Sequence, residues 1–330
     1  MAHTPKYLRL KQQLLTELRE GRYPVGERIP TREELVARFK VTRTTVNLAL
    51  KELVASGVLV TSRRGGTIFT GKEPPRCIAV LSGFDPAVQK RGGDDLWAIL
   101  ESLVYRSQEF KLQFFKHGTA PSDTALSVCD RLVAIMPTTD EFSALRQRDD
   151  QVIFVNRYGD ALNFISTPHR ETMRQLVRRN LDAAGERPLM VFLAPARPAG
   201  FVEQERRAGF IDECADRELF YRLCETAPDF NSVPAALDAL PLPSGRPLVL
   251  AAPSMHYTGA VVEWARRNGR RFGVDLFYSD FDNPAPERDF GVPFLSAVQD
   301  YPEMGRQLYE ILKQPGHTPV QRFIPCRLIG

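Results

Sequence analysis

The sequence predicts a small helical head closed by a two-stranded hairpin, followed by a larger α/β body built on parallel sheets. Three observations carry this. The first seventy residues hold three short helical runs and then two strand-like runs around a Gly-Gly turn. Beyond residue 76, short apolar runs alternate with amphipathic helical ones. Charge is unevenly shared: residues 1–73 hold 14 Lys/Arg against 7 Asp/Glu, and the remainder 30 against 33. A basic head on a slightly acidic body suits a head that meets a polyanion.

The elements of the head follow in order. "KYLRLKQQLLTELREG" carries Tyr7, Leu10, Leu14 and Leu18 at helical spacing and stops at Gly21. "YPVGERIP" is a turn segment broken by Pro24, Gly26 and Pro30. "TREELVARFK" opens with Thr31 and Glu34 in a capping box, and its Leu35, Val36 and Phe39 face inward. "VTRTTVNLALKELVASG" places Val46, Ala49, Leu50, Leu53 and Val54 on one buried stripe. Arg43, Asn47 and Lys51 then share an outward stripe with Thr44 beside them. Thr42 is the expected N-cap and Gly57 the stop. Two helices joined this tightly form a helix-turn-helix. "VLVTSRRGGTIFT" reads as strands Val58–Thr61 and Thr67–Thr70. This hairpin is a wing, with Arg63 and Arg64 at its tip beside Gly65 and Gly66.

The head resembles the winged-helix domain of the GntR family of bacterial transcription regulators over about residues 7–70. The G-x-x-x-x-G-x-x-[LI]-P-[ST] run, the V-[ST]-R-x-T-V turn and the late G-G-T wing carry the resemblance together. It implies a recognition helix that enters the major groove end-first. Arg43 then meets guanine or a phosphate, and Thr44 and Thr45 act as short donors or as methyl partners for thymine. Thr31 and Thr42 sit at helix N-termini, which favour phosphate. The chain departs from the family pattern at Asn47, where arginine is usual, and at Thr31-Arg32-Glu33, where Ser-Glu-Arg is usual. Asn pairs bidentately with adenine, so Asn47 is expected to change the preferred operator rather than abolish binding. Arg32 is displaced by one residue, about 100° of helix, and is expected to reach phosphate rather than a base.

"TGKEPPRC" interrupts the pattern with Gly71, Pro74 and Pro75 and reads as a linker. The expected boundaries are a head over 1–71, a linker over 72–76 and a body over 77–330. In the body, strand candidates are "CIAVLS", "LQFF", "RLVAIM", "VIFVN", "LMVFLA", "LFYRL", "PLVLAA" and "DLFYSD". Helix candidates are "DLWAILESLVYRSQEF", "RETMRQLVRRNLDAAG", "VEQERRAGFIDECAD", "YTGAVVEWARRNG" and "YPEMGRQLYEILKQ". This alternation indicates α/β layers on a parallel sheet.

The order of landmarks resembles the LacI-type effector-binding domain, related to periplasmic sugar-binding proteins, over about residues 76–330. The matching stretches are "RQLVRRNLDAAGERPLMVF", "RRAGF", "WARRNGRRFGVDLFYSDFDN" and "SAVQDYPEMGRQLYEIL". The resemblance implies a two-lobed, periplasmic-binding-protein-like α/β body with three crossovers and a small molecule in the inter-lobe cleft. Carried over by position, Arg206 matches the effector-binding arginine, and its donors suit vicinal hydroxyls or a carboxylate. Asp282 lies at a strand end, where open α/β sheets bind ligands. Phe84 is placed to stack on a sugar face. The alternatives are a helix-surface ion pair with Glu203 for Arg206 and a turn cap for Asp282. Ser254-Met255 stands where the family usually has Asn-Asp, and His169 falls about where it often has Asp. An acceptor carboxylate is thus missing, and Met255 offers a soft apolar wall instead.

Other classes find little support. There is no G-x-G-x-x-G after a strand, no Walker loop, no H-E-x-x-H and no G-x-S-x-G. An aminotransferase-like body needs a Schiff-base lysine, and only Lys90, Lys111, Lys116 and Lys313 follow Lys72. No apolar run approaches the roughly 20 residues of a membrane span, and the N-terminus lacks a signal-peptide core. The five cysteines form no CxxC motif or close His/Cys cluster, so reduced thiols in a cytoplasm are expected, with no zinc site. The expectation is a cytoplasmic, homodimeric repressor that binds a double-stranded DNA operator and a sugar-like effector, with no cofactor, metal or enzymatic activity. The alternative is a regulator whose body serves only dimerisation.

Overall fold

The computed structural model describes residues 5–62, 66–72, 76–82, 94–105, 109–118, 129–148, 151–185, 187–196, 199–242, 245–314 and 319–330. The chain divides into two compact units. The first holds residues 1–165 and 301–321, and the second 166–300 and 322–330. The backbone therefore passes between them three times.

The first unit begins with helices α1 (Lys6–Arg19), α2 (Arg32–Phe39) and α3 (Arg43–Ala55). Leu10, Leu14 and Leu18 of α1 close over Leu35 of α2 and Val46, Ala49, Leu50 and Leu53 of α3. Val54, which the sequence places on this stripe, is 36% exposed. It lies about 100° past Leu53 in the last turn, at the edge of the apolar face. After Gly57, at φ 77°, strands β1 (Leu59–Ser62) and β2 (Gly66–Phe69) pair antiparallel from Leu59↔Phe69 to Ser62↔Gly66. The hairpin is shifted by one residue from its expected bounds, and Arg28 bridges to Ile68 on its other side. Gly71, at φ 81°, passes so close to Val25 that a Cβ would sit 2.8 Å from Val25 Cγ1.

The remainder of this unit is a six-stranded sheet in the order β4-β3-β5-β6-β7-β13. Its strands are β3 (Arg76–Ser82), β4 (Phe110–Lys116), β5 (Arg131–Ile135), β6 (Val152–Val155), β7 (Phe164–Ser166) and β13 (Gln321–Phe323). Helix α4 (Asp94–Tyr105) and the C-terminal helix α11 (Tyr301–Lys313) belong to the same unit, as does α5 (Thr139–Leu145), whose N-cap Thr138 makes a capping box with Glu141.

The second unit repeats the plan as β9-β8-β10-β11-β12-β14. Its strands are β8 (Leu189–Pro195), β9 (Tyr221–Thr226), β10 (Leu248–Ala251), β11 (Leu276–Phe281), β12 (Leu295–Val298) and β14 (Arg327–Ile329). The pairs β8–β9, β8–β10, β10–β11 and β11–β12 are parallel, while β14 runs antiparallel to β12. Such strands are covered on both faces, which is why β10 and β11 are buried throughout. Helices α6 (His169–Ala184), α7 (Phe201–Asp216), α8 (Ser232–Asp238), α9 (Thr258–Arg267) and α10 (Pro286–Phe290) complete the unit.

Helices α6 and α7 approach unusually closely at Gly209. A Cβ there would collide with the backbone carbonyl of Arg170 and lie 3.1 Å from Met173 Cβ. Gly209→Ala is therefore expected to destabilise the chain by about 2 kcal/mol through overpacking, although alanine is intrinsically the better helix former. Urea unfolding checks this: a variant more stable than the parent would mean the two helices do not meet there.

Several elements depart from the sequence reading. The helix expected to run to Phe110 has α4 ending at Tyr105, and Phe110 begins β4 instead. The strand expected at Leu219 begins at Tyr221 and leaves Phe220 97% exposed. Strands β7, β12, β13 and β14 and helices α5, α8 and α10 were not anticipated. Each spans seven residues or fewer, too short for a period to register.

Candidate nucleic-acid interface and candidate effector pocket

The first candidate surface is the exposed side of α3. Thr42 is extended, at φ −73° and ψ 154°, and its Oγ1 accepts from Thr45 N–H at 3.3 Å. Thr42 and Thr45 hydroxyls also meet at 2.9 Å. Thr45 is thereby tied to the cap, with its side chain half-exposed. Arg43, Thr44, Asn47 and Lys51 are all exposed. Arg43 Nη2 lies 3.1 Å from Glu33 Oε1, and both side chains are about two-thirds exposed. Such a pair is weak, so a phosphate or base can displace it.

Arg32, expected to reach phosphate rather than a base, lies half-exposed against α3. Its Nε donates to Asn47 Oδ1 at 2.9 Å, so α2 orients the amide that α3 presents. Thr31 forms the expected capping box, with Glu34 N–H donating to Thr31 Oγ1 and Thr31 N–H donating to Glu34 Oε2. Arg63, Arg64 and Gly65 lie outside the described residues, and Gly66 opens β2 at φ 76°. Leu48 was missed: it is 41% exposed on α3 beside Asn47. It is a leucine off the 46-49-50-53 stripe, and that mismatch is the signal that would have found it. Such a side chain suits a thymine methyl.

The second candidate site lies at the C-terminal ends of β8, β10 and β11. Strands β8 and β10 flank the point where the order of the second sheet reverses, the usual binding position in open α/β sheets. Arg206, on α7 after β8, is only 3% exposed. Its guanidinium stacks 3.6 Å from the centre of the Phe281 ring. Nη1 donates to Pro253 O at 2.6 Å, and Nη2 lies 3.3 Å from His169 Nδ1 and 3.9 Å from Asp282 Oδ2. Arg206 is therefore not in a surface pair with Glu203, whose carboxylate instead accepts from Gly200 N–H. Burial, and then the charge of Arg206, hold the His169 pKa well below its ordinary value. His169 is thus neutral and its Nδ1 accepts from Arg206.

Asp282 has positive φ, 71°, and its carboxylate accepts from Gln299 Nε2 at 3.0 Å and Gln299 N–H at 3.3 Å. Gln299 Oε1 in turn accepts from Thr167 Oγ1 at 2.9 Å. Asp282 is thus fixed by a long-range partner rather than by a local turn. Met255 starts a 3-10 turn after β10 and is 39% exposed. Phe84 lies outside the described residues. The sequence singled out Arg206, Asp282 and His169, and the fold brings them together. Phe281, Gln299 and Thr167 were not foreseen, because no local pattern marks them.

Beneath this cluster is a buried polar group of Tyr278, Thr258, Asp280, Asn283 and Ser296. Thr258 and Asn283 both donate to Asp280 Oδ2, Thr258 and Tyr278 hydroxyls meet at 2.9 Å, and Asn283 N–H donates to Ser296 Oγ at 3.0 Å. Burial raises the Asp280 pKa from 3.8 to about 7 against the pull of these donors. Between those values the native state keeps a proton that the unfolded chain has lost. The contribution of this group to stability is therefore greatest below about pH 4 and falls as pH rises towards 7. Asp280→Asn cannot ionise, so its stability relative to the parent should improve from about pH 4 to about pH 7 and level off above that. Chemical unfolding across that range tests this, and a gap independent of pH would contradict it.

Taken together, the fold and these surfaces define a winged helix-turn-helix protein with a two-lobed parallel α/β body. Residues 6–69 match the family described as "Bacterial regulatory proteins, gntR family". The N-terminal domain is a GntR-family helix-turn-helix. The chain is similar to the probable fructoselysine utilization operon transcriptional repressor of Escherichia coli (strain K12), at 34% identity over 83 residues, covering 25% of this chain and 34% of that protein. It is also similar to the arabinose metabolism transcriptional repressor of Geobacillus stearothermophilus, at 39% identity over 70 residues, covering 21% and 19%. The matched region spans about a third or less of these relatives. In fold, the chain is similar to a LacI-family regulatory protein from Chloroflexus aggregans, with TM-score 0.59 and 17% identity over 76% of this chain and 96% of that one.

Proposed function

We propose that the chain is a sequence-specific, DNA-binding transcriptional repressor that acts as a homodimer and responds to a small molecule. The observation that carries the DNA reading is the capped, exposed first turn of α3, with Arg43, Thr44 and Asn47 outward over an apolar core. Those groups suit base edges and phosphates. Arg63, Arg64, Gly65 and Gly66 form the wing in this reading and supply phosphate or minor-groove contact. Head, linker and body take the bounds 1–71, 72–76 and 77–330. The chain acts by binding rather than by catalysis. A homodimer places two heads on a pseudo-palindromic site. Gel shifts with DNA selected from a random pool test the reading, and a failure to select any sequence would refute it.

The effector reading rests on Arg206, Asp282 and Met255 at the strand ends of the second unit. The relatives' roles in fructoselysine utilization and arabinose metabolism support a sugar or sugar derivative. Met255 in place of a carboxylate favours a ligand with a methyl or deoxy carbon at that end. Effector binding acts on DNA affinity through preference for one of two states. A second reading, in which the body serves only dimerisation, is favoured by the inward hydrogen bonding of Arg206. Thermal shift against sugars, sugar acids and deoxy-sugars separates the two, since a ligand specific to the native state raises its stability.

A further inference from the structure

Cys77 and Cys129 are 52 positions apart, yet their Sγ atoms lie 3.3 Å from each other. Cys77 is in β3, and Cys129 comes two residues before β5, which pairs with β3. Neither is in a disulfide. Cys129 Sγ is also 3.5 Å from Gln113 Oε1 on β4. Cys129 is buried and Cys77 half-buried, so Cys77 is the more exposed residue of the pair.

Asp130 sits between this pair and the helical head. Its Oδ2 accepts from Cys77 N–H at 2.8 Å, and its own N–H donates to Cys77 O at 2.7 Å. Its Oδ1 accepts from Arg19 Nη1, in the last turn of α1, at 2.9 Å. Helix α1 in turn is tied to α3 by Lys11 and Glu52 at 2.6 Å.

We propose that Cys77 and Cys129 form a redox modification site, a dithiol that a peroxide converts to an internal disulfide, and that this oxidation loosens the Arg19–Asp130 tie between the head and the first sheet. The two thiols have unequal acidity. The hydrogen bond with Cys129, with help from Lys111 and Lys11, lowers the Cys77 pKa against burial and Asp130. That same bond, with burial, pushes Cys129 upward. Cys77 is therefore the attacking sulfur. Its thiolate forms an S–O bond to peroxide as the O–O bond breaks, and the departing hydroxide takes a proton to become water. Cys129 then gives up its proton and attacks the sulfenic acid, so the S–S bond forms, the S–O bond breaks and a second water leaves. Two thiols lose two electrons in all, and one peroxide becomes two waters. Closing from 3.3 Å to a disulfide, about 2 Å, displaces residues 129 and 130 and re-aims the carboxylate that holds Arg19.

The test uses the full reduced chain and hydrogen peroxide in small molar excess. Peptide mapping should find a Cys77–Cys129 link with the loss of two hydrogens, while Cys214, Cys224 and Cys326 stay as thiols. In Cys129→Ser the same treatment should leave Cys77 as a sulfenic acid that dimedone captures. Amide exchange over residues 6–19 should rise severalfold in the oxidised parent and not in treated Cys129→Ser. Asp130→Asn should raise that exchange without oxidant. If peroxide gives no internal link, or links chains to one another, the site is overturned. The link alone, with exchange over α1 unchanged, would overturn the coupling to the head. Should Cys129→Ser fail to fold, the parent's peptide map and exchange decide by themselves.

Discussion

Arg43→Ala is expected to lower affinity for a selected DNA site by roughly 1–3 kcal/mol, about fivefold to 150-fold. The side chain stands at the first position of α3 and is 70% exposed, with Glu33 as its exposed partner. Nothing in the core depends on it, so the variant should unfold at the same denaturant concentration as the parent. Its loss should appear as reduced preference for the selected site over unrelated DNA, because a base contact carries specificity that a phosphate contact does not. Competition gel shifts read this directly. Parental affinity in the variant would remove α3 from the DNA. A loss equal on all sequences would reassign Arg43 to phosphate.

Arg206→Ala is expected to destabilise the second unit by about 3 kcal/mol or more, the usual scale for removing one partner of a buried charged group. Four contacts are lost together: the stack on Phe281, the bond to Pro253 O, the bond to His169 Nδ1 and the proximity to Asp282. Burial still disfavours a charged His169 in the variant, so it is a poor substitute for the missing cation. Arg206→Lys keeps the charge but loses the planar fork, and should cost less, about 1–2 kcal/mol. Urea unfolding of both variants tests the ranking. Equal stability of all three proteins would show that Arg206 is not held as described. Effector affinity is best compared between the parent and Arg206→Lys, because the alanine variant mixes lost binding with lost stability.

Much of the head was legible because its signals are local. Thr31 with Glu34, and Thr42 before the 46-49-50-53 stripe, specify helix starts within a few residues. The parallel strands of the body were legible as apolar runs bounded by turns. What escaped depends on partners far along the chain. Arg206 read as a ligand arginine or a surface ion pair, and only the return of residues 253 and 281 to its side shows that it is buried. The bond from Arg32 to Asn47 depends on how α2 packs on α3, which no local pattern shows. Cys77 and Cys129 looked unrelated because sheet order, not sequence spacing, brings them together.

Selection of DNA from a random pool by the full chain should enrich a sequence with two symmetric half-sites, bound at least about a thousandfold more tightly than a scrambled version at physiological salt. Arg43→Ala should lose most of that margin. Equal affinity of the parent for the enriched and scrambled sequences would show that the chain does not read DNA sequence.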